Sequence, residues 1–422
     1  MNRRIVRLAA VLAAGFAVLL VQLTNVGYLS AEGLRDHELN QRAAAAALGQ
    51  ARGAIITMDG ETIAHAIGPE EVEQRRLRTY PHGTLYAHVA GFLSLAAGAS
   101  GLERSYDAEL SGNAASIALR DMSDLFADSD RVGDLLLSVH HGVQLTARAA
   151  LGDRDGSVVV VEPGTGAVIA LWSRPSFDPN AIIGTLPAST AASQVPTLAR
   201  AYRQHYFLNS DESSESAAAS LLDGARSQLG PTGIDLPGEP GRGEISEGVP
   251  LTPLQLALAA ASVANGGVRM RPYVVRSVSV RSATLSTGSQ PAGADTSATT
   301  TPRTAGRLFK AAEAASLLAS MTTEAQQAMI ELTPADGVTL PAALATGGIG
   351  RSADGPSGGS WAVLLAPTDT PTVAVAVLIE PETELDMGDP RDNGTLATMI
   401  AATAAETALA LRAVPTPVAD GP

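Results

Sequence analysis

Arg3, Arg4 and Arg7 precede a run from Leu8 to Leu29 without a single charged residue. At ~1.5 Å per residue a helix of this length crosses the ~30 Å hydrocarbon core of a bilayer. The arginines lie on the amino-terminal side, with Glu32 and Asp36 following on the other. The positive-inside rule then leaves the N-terminus in the cytoplasm and residues 31–422 outside it. A cleaved signal peptide has a shorter apolar region, about 7–15 residues, and a small-residue cleavage site. Tyr28-Leu29-Ser30-Ala31 is a poor site of that kind. The expectation is an uncleaved, single-pass anchor at the cell membrane with the bulk of the chain extracytoplasmic.

The chain beyond the anchor has room for more than one core. With 422 residues and about 150 residues per domain, two or three domains are expected. Apolar residues form 45% and charged residues 17%, which excludes a wholly disordered chain or a coiled coil. The net charge of −14 argues against nucleic acid as a partner, because phosphate binding needs a surplus of Lys and Arg. There is no cysteine, so disulfides, thiolate metal sites and cysteine nucleophiles are out. Of the 29 Lys and Arg residues only Lys310 is a lysine.

Along the chain, residues 36–50 read as an Ala-rich helical stalk. Residues 52–64 read as two short strands around Asp59-Gly60. Val158–Glu162 and Ala167–Trp172 flank Pro163-Gly164-Thr165-Gly166 as a hairpin. Thr252-Pro253 predicts a cap and a first-turn proline for an apolar helix ending at Gly266-Gly267. Residues 282–306, rich in Ser, Thr, Ala, Gly and Pro, predict a flexible insert. Trp361–Ala366 and Thr372–Glu380 predict a second hairpin, Thr395–Arg412 a last helix, and 413–422 a disordered tail.

Arg52-Gly53-Ala54-Ile55 with Asp59-Gly60, Tyr80-Pro81-His82-Gly83, Gly98 to Glu103 and Leu110-Ser111-Gly112 resemble the non-catalytic pedestal of the class B penicillin-binding proteins. These are membrane-anchored D,D-transpeptidases of cell-wall synthesis, and the likeness is to their actinobacterial type. Val160 to Asn180, ending Arg174-Pro175-Ser176-Phe177-Asp178-Pro179-Asn180, resembles the opening of the transpeptidase domain. Leu251-Thr252-Pro253-Leu254-Gln255, Ala264-Asn265-Gly266-Gly267 and Arg271-Pro272-Tyr273 are similarly close. The resemblance implies an α/β (α+β) fold: a central antiparallel sheet flanked by helices, a small N-terminal pedestal and one transmembrane helix. The implied division is 1–30 for the cytoplasmic tip and anchor, 31–125 for the pedestal and 131–412 for the transpeptidase-like domain.

The family's chemistry, as the resemblance implies it, rests on S-x-x-K, S-x-N and K-[ST]-G. A serine hydroxyl is a weak nucleophile until a base takes its proton, and the lysine one helical turn away can be that base. Lys310 has Arg307 three residues before it and Ala311-Ala312 after it, so it completes neither lysine motif. Counting on from Pro196-Thr197-Leu198 and Tyr206 puts Ser210 in the serine's place and Ser213 in the lysine's. The segment Asn209-Ser210-Asp211-Glu212-Ser213-Ser214-Glu215-Ser216 is acidic and reads as a solvated polar loop. Little chain separates Tyr206 from Gly248, which implies a reduced helical lobe. The triplet Ser111-Gly112-Asn113 lies far upstream and reads as a chance match to S-x-N. Ala345-Thr346-Gly347-Gly348 stands where K-T-G-T would be and marks either a residual peptide groove or a retained backbone turn without a ligand.

His140-His141 lacks the spacing of a metalloprotease motif, so neither a metal nor another cofactor is expected. The leading expectation is a non-catalytic scaffold or regulator of peptidoglycan synthesis or division. Its partners would be a membrane-embedded glycan polymerase or other divisome or elongasome proteins, and a stem peptide is a further candidate ligand. The competing readings are an active D,D-transpeptidase with a non-standard site, a wall-peptide or β-lactam sensor, and a degraded gene.

Overall fold

The structure is a computed structural model that describes residues 51–67, 77–94, 98–118, 131–183, 207–210, 217–218, 220–222, 251–282, 295–334, 337–350, 359–380 and 390–413. Gly15, Phe16 and Gln22 are helical positions inside the expected anchor, whose other residues lie outside the described set, as do the stalk at 36–50 and the tail beyond 413. Among the described residues no helix is long and apolar enough to cross a membrane.

Two six-stranded sheets organise the chain. The first begins with the expected hairpin: Ile55–Ile56 pairs antiparallel with Thr62–Ile67. Gly60 turns it with φ 89°, a left-handed conformation that costs glycine little. Thr62–Ile67 in turn pairs with Leu77–Thr79. On the other side Ile55–Ile56 runs parallel to Arg131–Leu137, with Ile55 opposite Leu135. Gly53 enters this junction so closely that an added Cβ would sit 2.0 Å from the carbonyl oxygen of Gly133. Arg131–Leu137 then pairs antiparallel with Val275–Ser282, and that strand with Asp295–Thr299. The sheet therefore draws strands from both sides of the expected 125/131 boundary.

The insert expected at 282–306 needs correcting in part. Asp295–Thr299 closes the edge of the first sheet, and Thr304–Arg307 pairs with Val268–Met270. Both are short strands, and Thr304–Arg307 is exposed throughout. An edge strand open to solvent needs backbone pairing more than apolar side chains, so a polar composition did not exclude it.

The second sheet runs in the order Val168–Arg174, Gly156–Val161, Val373–Ile379, Gly359–Ala366, Ala343–Gly350 and Phe207–Ser210. All its pairings are antiparallel. Val158–Val161 and Val373–Leu378 are buried at every position. Successive strand residues point to opposite faces, so both faces of this sheet are covered. The cover is helical: Pro253–Ala264, Ala311–Gln327 and Pro390–Ala413 pack against its strands, and His141–Leu151 packs against Val168–Arg174. Pro253–Ala264 starts where the sequence places it. The Thr252 hydroxyl accepts from Gln255 N at 3.1 Å, while the Gln255 side chain accepts from Thr252 N at 2.8 Å, a reciprocal capping box.

Candidate active site

Ala343–Gly350 is the strand that carries the Ala345-Thr346-Gly347-Gly348 segment. Its inner neighbour is Gly359–Ala366, with Thr346 opposite Ala362 and Gly347 opposite the fully buried Trp361. Ala345 and Gly347 are buried and Thr346 is half-buried. The segment is thus a length of regular strand rather than a turn, and the turn reading falls.

The outer edge of this strand is not open. Phe207–Ser210 lies along it antiparallel, with Ser210 opposite Gly347, Asn209 opposite Gly348, Leu208 opposite Ile349 and Phe207 opposite Gly350. The structure therefore brings the predicted nucleophile position and the predicted groove together, as paired backbones. Asn209 and Ser210 belong to a strand, which corrects the polar-loop reading for those two residues; Phe207-Leu208 begins it and has the stronger β-propensity. Ser213, the lysine's counterpart, lies outside the described residues. The missed signal was in Gly347, Gly348 and Gly350: glycines inside a strand often mark close approach of another backbone.

Lys310 precedes the helix Ala311–Gln327 as its N-cap residue. Its side chain is 84% exposed and its ammonium lies 3.3 Å from Glu313. The backbone N–H of Lys310 also donates to Glu313 at 2.9 Å. The chain's one amine side chain is occupied at a solvent-facing helix start, paired with Glu313.

The pedestal-like segments hold a dense ionic centre. Glu103 has no exposed surface and receives Arg52 Nε at 2.7 Å and Arg78 Nε at 2.6 Å. Tyr80 donates its hydroxyl to the same carboxylate at 3.2 Å, and Arg78 also reaches the Gly53 carbonyl at 2.7 Å. Burial alone would raise the Glu103 pKa, but Arg78 and Arg52 outweigh it and hold the carboxyl below its ordinary value. Ser111-Gly112-Asn113 is local structure too: the Ser111 hydroxyl donates to the Asp107 carbonyl at 2.6 Å, and Asn113 donates to Ser111 at 3.0 Å.

His140 and His141 begin the helix His141–Leu151 beside Asp59 of the first hairpin. Asp59 accepts from the His141 N–H at 3.0 Å and lies 3.0 Å from His140 Nδ1. Burial pushes the His140 pKa down against the pull of Asp59. Tyr86 lies 2.7 Å from His141 Nδ1, and His82 pairs with Glu61 at 2.9 Å. These contacts tie the first hairpin to the helix. Among the described residues no group of three or more His, Asp or Glu is placed to hold a metal ion. A cavity of about 260 Å³ lies elsewhere, lined by Tyr106, Arg271, Tyr273, Thr300 and Arg303, with no residue of Ala343–Gly350 in its wall.

Two family models match the chain in the order that these sheets suggest. The penicillin binding protein A dimerisation domain covers residues 52–136 and the penicillin binding protein transpeptidase domain covers residues 226–404. The chain belongs to the penicillin-binding proteins. The dimerisation match extends through Arg131–Leu137 almost to its end, in keeping with that strand's place in the first sheet. The transpeptidase match begins after Ser210 and Ser213. A peptidoglycan D,D-transpeptidase PbpA of Mycolicibacterium smegmatis is 28% identical, the alignment covering 90% of this chain and 94% of the relative. That alignment runs over 477 positions, more than the 422 residues available, so the relative carries segments that this chain lacks. The crystal structure of PBPA from Mycobacterium tuberculosis superposes with a TM-score of 0.66 at 24% identity, over 86% of this chain and all of that one. Its penicillin G acyl-enzyme complex gives 0.65 at 24% identity, over 85% of this chain and all of that one. The shared fold is that of a penicillin-binding transpeptidase domain with an N-terminal dimerisation domain.

Proposed function

We propose that this penicillin-binding protein is a non-catalytic scaffold or regulator of peptidoglycan synthesis, anchored in the cell membrane by residues 8–29. The carrying observation is the placement of Lys310: the only lysine of the chain is an exposed helix cap bound to Glu313. A serine acylated by penicillin needs a base to take its proton. Removing one member of a cooperating nucleophile–base pair can cost ~10⁶-fold in rate. Asp211 and Glu212 follow Ser210, but a carboxylate with an ordinary pKa is too weak a base for an alcohol at neutral pH.

A protein of this family without acyl transfer acts by contact, through its anchor and pedestal. The partner class this implies is a membrane-embedded glycan polymerase or its divisome or elongasome companions. The full chain, labelled with fluorescent penicillin and weighed by intact mass spectrometry, is expected to carry no adduct. A penicilloyl group on Ser210, lost in Ser210→Ala, would restore the enzyme reading and end this one.

A further inference from the structure

The four pairs between Phe207–Ser210 and residues 347–350 occupy the outer hydrogen-bonding edge of the strand that stands in the place of K-T-G. An edge of that kind binds an extended peptide by adding it to the sheet, main chain to main chain. We infer that Phe207–Ser210 is an internal competitor, which fills in cis the backbone edge that an acyl-D-alanyl-D-alanine peptide would use and so keeps the peptide out. The inference rests on the family reading of this edge and deepens the non-catalytic proposal by assigning what covers it.

Three features carry it. The pairing is antiparallel and continuous over every residue of the short strand, without a bulge. The receiving strand is glycine at three of the four paired positions, Gly347, Gly348 and Gly350, which lets a second backbone approach regardless of side-chain fit. And the competitor is tethered. A segment joined to its site by chain presents itself at roughly millimolar effective concentration, so a peptide that binds with millimolar affinity gains little occupancy against it. The ligand class is set by the edge: an extended peptide recognised through its backbone, with selectivity left to the side chains beside Thr346.

The test removes the competitor's donors. Successive residues of an edge strand point their N–H groups alternately to the neighbour and to solvent. Leu208→Pro combined with Asn209→Pro therefore deletes a ladder donor whichever register holds. Binding of diacetyl-lysyl-D-alanyl-D-alanine is measured by calorimetry on the full chain and on this double variant. The expected result is tighter binding in the variant, by about twofold where the segment binds its edge with millimolar affinity and about tenfold where its own dissociation constant lies tenfold below its effective concentration, with no covalent adduct in either protein. Equal affinity, or no binding to either, overturns the competitor. An adduct in either protein overturns the non-catalytic proposal instead, and the affinity ratio still decides the competitor. Because prolines can unfold a strand for other reasons, hydrogen exchange on the unmodified chain gives a second reading. The amides of 207–210 that point toward 347–350 are expected to exchange slowly, together with those of 347–350 that point back, and fast exchange of every amide of 207–210 beside a protected 347–350 would overturn the pairing.

Discussion

The centre around Glu103 and the edge around Gly347 are built on opposite principles. At Glu103 a buried charge is met by two guanidiniums and a phenol. At Gly347 no ionic group is among the paired residues, and the contact is backbone lying against backbone. The first is held together by side chains and the second by main chain. The difference teaches that a sheet edge tolerates wide variation in its side chains, because main-chain pairing does not depend on them. A buried ion set has no such reserve. Removing one partner leaves the others charged and dry.

The largest test of that contrast is Glu103→Gln. Breaking a buried pair by neutralising one partner typically costs about 3–5 kcal/mol, which denaturant unfolding would register, whereas Thr346→Val at the edge is expected to change stability far less. Equal effects would erase the distinction. The pH dependence sharpens it. The carboxyl's folded pKa lies below its ordinary value, so the stabilisation it gives is complete above the unfolded pKa near about 4.3. It is lost as pH falls through the lower folded pKa. Thermal unfolding between pH 7 and 3 should show an acid-side fall that is smaller in Glu103→Gln, and an identical slope would show that the carboxylate is not ionised in the fold.

A smaller effect is expected at Thr252. Its hydroxyl caps a buried helix that packs on the second sheet, and Thr252→Ala should cost about 1 kcal/mol by the usual scale of N-caps. The smallest belongs to Lys310→Ala. An 84% exposed side chain at a helix start should leave the unfolding midpoint and any wall phenotype unchanged. A strong defect in that variant would give the lysine a role beyond capping and reopen the question of chemistry.

The sequence made parts of this molecule readable for physical reasons that differ from part to part. The Asp59-Gly60 hairpin, the Thr252-Pro253 helix start and the Trp361 hairpin are local, each marked by a turn, a cap or a strand-length apolar run. The pairing of Ile55 with Leu135, and of Leu135 with Val278, is not local, and no residue in either segment advertises its distant partner. Asp295–Thr299 escaped because a short, polar edge strand looks like a linker in composition. At the candidate site the missing lysines could be counted directly, since one residue cannot complete two motifs. That Phe207–Ser210 would lie on the same edge could not be seen, because backbone pairing leaves its trace only in the glycines opposite.

The mixed ancestry of the first sheet also sets an order of events during synthesis. Three of its six strands, Ile55–Ile56, Thr62–Ile67 and Leu77–Thr79, leave the ribosome early, while Arg131–Leu137, Val275–Ser282 and Asp295–Thr299 emerge much later. At a translation rate of about 5–20 residues per second, the interval between Ile67 and Thr299 is roughly 10–50 s. During that time Ile55 and Ile63, both buried in the finished sheet, wait without their full set of neighbours. A nascent chain of this kind spends most of its synthesis with an unfinished amino-terminal unit, and a ribosome pause before residue 299 would prolong the exposure. Any shortened version that stops near residue 125 is the permanent form of that unfinished state.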